Sequence, residues 1–204
     1  MGYTCQAMPK VVDHHLYRQE LLEKATPLFL RYGFEGLTTR ELARHLAIST
    51  GTLYHYFASK DKLFEALARH WMEQDMSWVR ASFEALPDRR QRLLGVAAFL
   101  NEHRDKFNTQ NRLVLQFCQF QQQRGIDMAY FWDEIYASWE SLTRDTLELR
   151  SQFAVNLICQ VIDGVFLQWI QGSQSPDLTS FFEGLAHWLP IIDQAESQSH
   201  PQGP

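Results

Sequence analysis

Residues 38–63 read TTRELARHLAISTGTLYHYFASKDKL, and this stretch decides the fold. Thr38 is followed three residues later by Glu41, which is the pattern of a capping box. In that motif the threonine hydroxyl and the glutamate carboxylate each accept a backbone N–H at the start of a helix. The pattern predicts a short helix over 39–46, then a three-residue turn ending at Ser49, which caps a second short helix. Two short helices joined in this way form a helix-turn-helix candidate.

The sequence on either side of this stretch is helical as well. Apolar residues recur at three- and four-residue steps from Leu21 to Tyr32, and Gly33 is suited to end that helix. Ser59 is predicted to cap a long helix that begins at Lys60. Five further helices are predicted over residues 89–104, 107–123, 127–149, 152–171 and 177–192. Strand-like alternation of useful length does not occur, so we expect an all-α fold.

The composition is that of an ordinary globular protein with an uneven charge. Of the 204 residues, 45% are hydrophobic and 21% are charged. The three cysteines Cys5, Cys118 and Cys159 are widely spaced, so we expect neither a disulfide framework nor a zinc site. Residues 1–70 carry nine Lys/Arg and seven Asp/Glu, whereas the remainder carries ten and seventeen. The acidic remainder repels DNA, but the N-terminal third can still bind it locally.

The second short helix has the composition of a recognition helix. Ser49, Thr50 and Thr52 offer hydroxyls to phosphates or base edges, and Gly51 lets DNA approach the backbone closely. Lys60 opposes the dipole of its own helix, a placement that makes sense where a phosphate binds the helix N-terminus. A hairpin that only packs a core explains the geometry equally well, and Lys60 is then a solvated lysine.

The same residues resemble a known family. The stretch 38–63, with its L-Y-x-x-F-x-S-K run, resembles the DNA-binding signature of the TetR family of bacterial transcriptional regulators. The resemblance covers about residues 15–65, and beyond them it is limited to length, helical pattern and the last two helices. Ala47 stands where the family usually has Gly, so a left-handed backbone there costs about 1 kcal/mol. Pro27 is unusual for the family's first helix.

The resemblance implies a role for individual residues. The base-reading positions are Arg40, Thr50, Gly51 and Thr52. The phosphate positions are Thr38, Thr39, Tyr54, Tyr56 and Lys60. The residue types agree with these roles, because arginine pairs bidentately with guanine while hydroxyls and lysine suit phosphate.

The expected organisation is an N-terminal three-helix helix-turn-helix DNA-binding domain followed by a C-terminal helical ligand-binding and dimerisation domain. The predicted boundaries are an N-terminal arm over 1–12, the DNA-binding domain over 13–60, the ligand-binding and dimerisation domain over 61–194, and a polar, disordered tail over 195–204.

The last two predicted helices indicate a dimer. The apolar stripe of 153–171 is too wide for a helix buried on one side only, and Gly164 in its middle suggests close approach of another backbone. The resemblance implies that these helices form a four-helix bundle with a second copy. The predicted interface residues are Val161, Val165, Phe181, Leu185, Trp188 and Leu189. Packing within one protomer is the alternative.

Nine aromatic residues between 99 and 139 predict an apolar ligand pocket with few polar anchors. The predicted pocket residues are Phe99, Gln116, Phe117, Phe120, Trp132, Tyr136, Trp139, Phe166 and Trp169. Polar groups at nearby helical positions come from Gln119, Asn156, Asp163 and Gln168. Acidic residues outnumber basic ones in this region, which favours a neutral or cationic lipophile. The alternative is that most of these aromatics are core.

We therefore expect a sequence-specific transcriptional regulator, namely a cytoplasmic, nucleoid-associated repressor that a small lipophilic ligand releases from a palindromic operator. Signatures of catalysis such as H-E-x-x-H, G-x-S-x-G and the P-loop are absent, so we expect no enzyme activity, no cofactor and no metal. We also expect no membrane partner, because an uninterrupted apolar run of about 20 residues does not occur. One alternative is a DNA-binding dimer that a protein partner or nothing controls. Another is a helical enzyme or carrier whose hairpin is structural.

Overall fold

The computed structural model describes residues 13–83, 86–172 and 177–199, with side chains to residue 194. Within these ranges the chain forms nine α-helices and no strand, which confirms the all-α prediction. The helices are α1 (His14–Tyr32), α2 (Thr39–His45), α3 (Thr50–Tyr56), α4 (Lys60–Phe83), α5 (Arg89–Glu102), α6 (Arg104–Gln123), α7 (Ala129–Leu147), α8 (Gln152–Ile170) and α9 (Leu178–Ser199).

The predicted ends of the chain differ in outcome. The predicted N-terminal arm over 1–12 lies outside the described residues, as does 200–204. The prediction of disorder from residue 195 is wrong for 195–199, because α9 continues to Ser199. The polar composition of this segment does not by itself predict a helix. The segment extends an existing helix, however, and adding residues to an existing helix is easier than starting one.

The chain divides into two compact units at His70 and Trp71, within α4. In the first unit, local capping sets the helix boundaries. The Thr38 hydroxyl accepts the Glu41 N–H at 3.2 Å, and the Glu41 carboxylate accepts the Thr38 N–H at 2.8 Å, so the predicted capping box is present. Ala47 has φ +55°, which is the left-handed conformation expected at this turn.

The first unit closes around an apolar core. Phe29 and Phe64 are fully buried and meet edge to face, with ring centroids 5.1 Å apart. Phe34 packs against both rings, and Leu42 and Leu53 bring α2 and α3 onto the same core. Both short helices therefore owe their position to buried leucines, and their outer faces stay in solvent.

The second unit is a bundle in which α5 packs on α9 while α8 packs on α6, α7 and α9. Trp169 and Phe182 are fully buried in this core. Arg92 and Glu148 tie α5 to the end of α7, where Glu148 adopts the left-handed conformation at φ +51°. A Cβ at Gly164 would meet no described atom within 4 Å, so the close backbone approach expected there does not occur within the described protomer.

Helix α8 is long and apolar enough, by length and composition alone, to cross a membrane. A core helix of a globular protein passes the same test, and α8 packs against three other helices of its unit. It also carries the carboxylate of Asp163 near its middle, which is costly in a bilayer. These features favour a role for α8 inside a helical bundle.

Candidate functional site

The start of α3 is an ordered, solvent-facing surface in the first unit. Ser49 caps the helix by accepting the N–H of Thr52 at 2.9 Å, and the two hydroxyls are 2.8 Å apart. Thr50 and Gly51 are exposed, whereas Leu53 on the opposite face is buried. A Cβ at Gly51 would meet only the Ser49 hydroxyl, at an ordinary 3.6 Å. The fold therefore does not require glycine here.

Most of the predicted base-reading residues on α2 and α3 are exposed to solvent. Arg40, Thr50 and Gly51 are exposed, and Thr52 is half-buried because its hydroxyl contacts the Ser49 cap. Arg40 lies in the first turn of α2. An exposed arginine on α2 and exposed small residues at the start of α3 are thus available to a ligand. Their contacts with DNA remain a prediction.

The residues predicted to contact phosphate differ in their exposure and in their hydrogen bonds. Tyr54 is 53% exposed, whereas Thr39 and Tyr56 are half-buried. The Tyr56 hydroxyl lies 2.9 Å from the His14 Nδ1, which links α3 to the start of α1. The Thr38 hydroxyl donates to the Glu41 carboxylate at 2.7 Å and accepts the Glu41 N–H, so the helix cap already uses it.

Lys60 has a structural role that the sequence did not predict. Its Nζ donates to the carbonyl oxygens of Phe34 and Leu37, each at 2.8 Å, and lies 4.1 Å from the centre of the Phe34 ring. These carbonyls belong to the loop between α1 and α2. The ammonium therefore joins the start of α4 to that loop, which offsets the cost of a cation at a helix N-terminus.

The second unit contains an apolar cavity of about 150 Å³. Five of the nine predicted pocket residues line it, namely Phe99, Trp132, Tyr136, Trp139 and Phe166. Other lining residues come from α4, α5, α6, α7 and α8 and include Val79, Val96, Phe107, Asn111, Leu142, Thr143, Ile158 and Cys159. The predicted aromatic face of α7 therefore lines a cavity rather than filling solid core.

The other four predicted pocket residues do not line this cavity. Gln116 is exposed on α6, and Phe120 is half-buried beneath the guanidinium of Arg124. Phe117 and Trp169 are almost fully buried in the core. Residues three or four positions apart on one helix share a face, but 116 and 117 diverge by about 100°, so α6 cannot direct both at one cavity.

Sequence reasoning missed Asn111 and Thr143. The Asn111 Nδ2 is buried and finds no acceptor among the described residues. A buried amide donor beside a cavity is an anchor for a ligand oxygen or a water. Its position was recoverable, because Asn111 lies four residues after Phe107 on the same face of α6.

The ionisable groups of the cavity are acidic or neutral. Burial raises the pKa of Asp163, and burial followed by the Asp163 charge raises the pKa of Tyr136. Burial also raises the pKa of the Cys159 thiol, and the charges of Glu140 and Asp163 raise it further against a hydrogen bond with Thr143. A thiol with a raised pKa holds little thiolate, so Cys159 is poorly suited to sense oxidants.

The predicted dimer-interface residues differ in how deeply they are buried. Val165 and Leu189 are buried in the core of the protomer, and Val161 and Leu185 are half-buried against it. Only Phe181 and Trp188 are exposed, at 42% and 58%. Val165 and Leu189 therefore pack within the protomer, and their place in a dimer interface stays a prediction.

The exposed large apolar side chains of α8 and α9 form a set that includes two of the predicted interface residues, and we call this set the α8–α9 face. It comprises Phe153, Leu167, Phe181, Trp188 and Ile191, each 42–58% exposed. On α9 the spacing 181, 188 and 191 follows one side of the helix. Exposed large apolar residues grouped on two packed helices are typical of an interaction surface.

A capped, solvent-facing second helix on a helix-turn-helix scaffold defines a class of DNA-binding domain. Residues 21–67 match the family described as bacterial regulatory proteins of the tetR type. The chain is 41% identical over 69 residues to the HTH-type transcriptional repressor Rv1474c of Mycobacterium tuberculosis, a match that covers 33% of this chain and 37% of that protein. The chain thus spans well under half the length of this curated relative.

Solved structures extend the similarity to most of the chain. The regulator FadR from Bacillus subtilis in complex with stearoyl-CoA aligns with a TM-score of 0.57 at 15% identity, over 85% of this chain and 97% of FadR. The multidrug binding protein EbrR complexed with proflavin aligns with a TM-score of 0.59 at 21% identity, over 84% and 98%. The helix-turn-helix unit therefore belongs to the tetR family, and the chain as a whole has the fold of that family's regulators.

Proposed function

We propose that the protein is a transcriptional repressor that binds an inverted-repeat operator as a homodimer and releases it when a small lipophile fills the cavity of the second unit. The observation that carries this proposal is the exposed start of α3 within a tetR-family helix-turn-helix unit. The curated relative matched over this unit is named a repressor, which supports repression over activation.

In the proposed complex with DNA, some exposed residues contact base edges and others contact phosphates. Arg40 reads a guanine by two parallel hydrogen bonds in the major groove, while Thr50 and Gly51 allow close approach of base edges. Tyr54 contacts the phosphates that flank the groove. Thr38 and Lys60 act through the fold, since each already holds a helix start in place.

The homodimer rests on the α8–α9 face. Two copies of this face form a four-helix bundle, and the second copy covers the exposed rings of Phe181 and Trp188. A dimer presents two recognition helices, and an inverted repeat in the DNA matches its two-fold axis. Sedimentation of Trp188→Glu tests this step, with the loop variant Ile126→Glu as control. We expect a monomer for the first and a dimer for the second.

The ligand is limited by the size and lining of the cavity. A dry cavity of about 150 Å³ takes a benzene-sized molecule, whereas drug-sized ligands occupy about 300–1,000 Å³. The structural relatives hold ligands as different as stearoyl-CoA and proflavin, so the fold does not select the ligand class. The lining here favours a small neutral or cationic lipophile over a phosphorylated one.

Ligand and operator are coupled through the protein. A ligand that prefers the conformation with low DNA affinity lowers operator occupancy by its differential affinity for the two states, and DNA lowers ligand affinity by the same factor. We place the protein in the cytoplasm, bound to the nucleoid, and assign it no catalytic role.

Gly51→Ala tests the proposed DNA contact with little disturbance of the fold. The new methyl group has room in the free protein and raises helix propensity by about 1 kcal/mol, so thermal stability is unchanged or higher. At a base edge the same methyl occupies the space that DNA needs. We expect footprints on the DNA that flanks the protein's own gene to weaken by at least about tenfold in affinity. Unchanged affinity would remove α3 from the DNA interface.

A further inference from the structure

We propose that the cavity of the second unit selects a small organic cation, with Asp163 as its counter-ion and the surrounding aromatic rings as its cage. This inference deepens the proposed ligand response and names the ligand's charge. It rests on that proposed function only for the consequence at the operator, since binding itself is a property of the cavity.

The charge of the described cavity lining is negative. Among the described residues that line the cavity, Asp163 is the one charged side chain at neutral pH, and Lys, Arg and His are absent. Lys106 of α6 precedes the lining residue Phe107, but its ammonium pairs with the buried carboxylate of Asp75. Glu140 adds to the negative potential at the Cys159 side of the cavity. An anionic ligand would meet repulsion without a compensating base.

The aromatic lining suits a cation. Six rings border the cavity, from Phe99, Phe107, Trp132, Tyr136, Trp139 and Phe166. The faces of such rings attract a cation, and the attraction is larger where water is excluded. A hydrocarbon would also fit these rings, so the rings alone do not decide between a neutral and a charged ligand.

The position of Asp163 favours a cationic ligand over a neutral one. Asp163 and Tyr136 both line the cavity and are exposed, so they lie where the cavity opens to solvent. A neutral ligand that closes the mouth takes water from the carboxylate and gives it no counter-charge. A cationic ligand replaces that water with a charge partner while its apolar body fills the cavity.

Two probes of the same shape isolate the charge. Phenyltrimethylammonium and tert-butylbenzene differ in one central atom, and each has a ring of the size that the cavity takes. Because Trp132 and Trp139 line the cavity, titration of intrinsic fluorescence in the full-length protein follows both probes. We expect the cation to bind at least about tenfold more tightly than the hydrocarbon.

The variant Asp163→Asn keeps the shape of the side chain and removes its charge. We expect it to lower the affinity for phenyltrimethylammonium about tenfold and to leave the affinity for tert-butylbenzene unchanged. The control Asp133→Asn removes an exposed charge from α7 that does not line the cavity, and it should keep the preference of the wild type.

Three results would overturn the proposal: equal affinities for the two probes, a preference that survives in Asp163→Asn, or no binding of either probe. Operator binding by fluorescence anisotropy on the same preparations separates this inference from the proposed function. Retained operator binding with a failed cation preference overturns the cage alone. A cation that binds a protein without operator affinity supports the cage and contradicts the repressor.

Discussion

Replacing Lys60 by methionine separates a structural lysine from a DNA-contacting one. The side chain of methionine keeps most of the apolar stem but cannot donate to the carbonyls of Phe34 and Leu37. Hydrogen bonds from a charged donor contribute about 1.5–3 kcal/mol each, and removing a cation from a helix N-terminus returns about 0.3–1 kcal/mol. Water reaches part of the site, so the expected loss of stability is about 2–4 kcal/mol.

The assay must report on the first unit. All six tryptophans lie beyond residue 70, so urea unfolding is followed by far-UV circular dichroism rather than by tryptophan fluorescence. Lys24→Met is the matched control, because the pair that Lys24 forms with Glu20 is exposed and its loss should leave the urea midpoint nearly unchanged.

DNA binding provides the contrasting readout. A lysine that neutralises one phosphate contributes about 0.9 to the slope of log affinity against log salt. If Lys60→Met unfolds at the same urea concentration as the wild type and reduces the salt slope by this amount, the lysine contacts DNA and the role assigned from its carbonyl partners is wrong.

Three further predictions concern stability. Ala47→Gly relieves the left-handed backbone at φ +55° and should raise the free energy of unfolding by about 1 kcal/mol, whereas a lower melting temperature would contradict the strain. Lys106→Met leaves the buried Asp75 carboxylate without its partner and should cost about 2–3 kcal/mol in urea unfolding, and a cost below about 0.5 kcal/mol would show that the pair is unimportant. Hydrogen bonds from the Thr38 backbone and hydroxyl hold the pKa of Glu41 below its usual 4.5, so its contribution is present above that pKa and is lost as the pH falls through the lower folded value. Glu41→Gln should therefore show a smaller drop in melting temperature between pH 5 and pH 2 than the wild type, and an equal drop would refute the assignment.

Local signals made the first unit predictable. Thr38 and Glu41 are three residues apart, and both partners of the cap can be read from the sequence. The strain at Ala47 was likewise recognisable, because Ala47 stands where the family that the sequence resembles usually has Gly. The role of Lys60 was not predictable, since its carbonyl partners lie 23 and 26 residues away and depend on the packing of α1 against α4.

The second unit was less predictable, because its contacts also depend on how segments far apart in the sequence pack together. α8 is apolar around most of its circumference, so periodicity cannot say which side packs within the protomer, and the burial of Val165 there was not predicted. On α7, by contrast, Trp132, Tyr136 and Trp139 share one side, and all three line the cavity. The amide of Asn111 is buried beside the cavity because five helices converge there, and this convergence cannot be predicted from the sequence of each helix alone.

Selection of binding sites from a library of random duplex DNA tests the central claim most directly. The full-length protein should recover an inverted repeat whose half-site centres lie about 34–36 Å apart, because two recognition helices of a dimer enter successive major grooves on one face of the duplex. Arg40→Ala should lose preference at one base pair in each half-site, by about 1–3 kcal/mol, and keep the spacing. Recovery of unrelated sequences, or of a single unpaired half-site, would contradict the account of this protein as a dimeric, sequence-specific repressor.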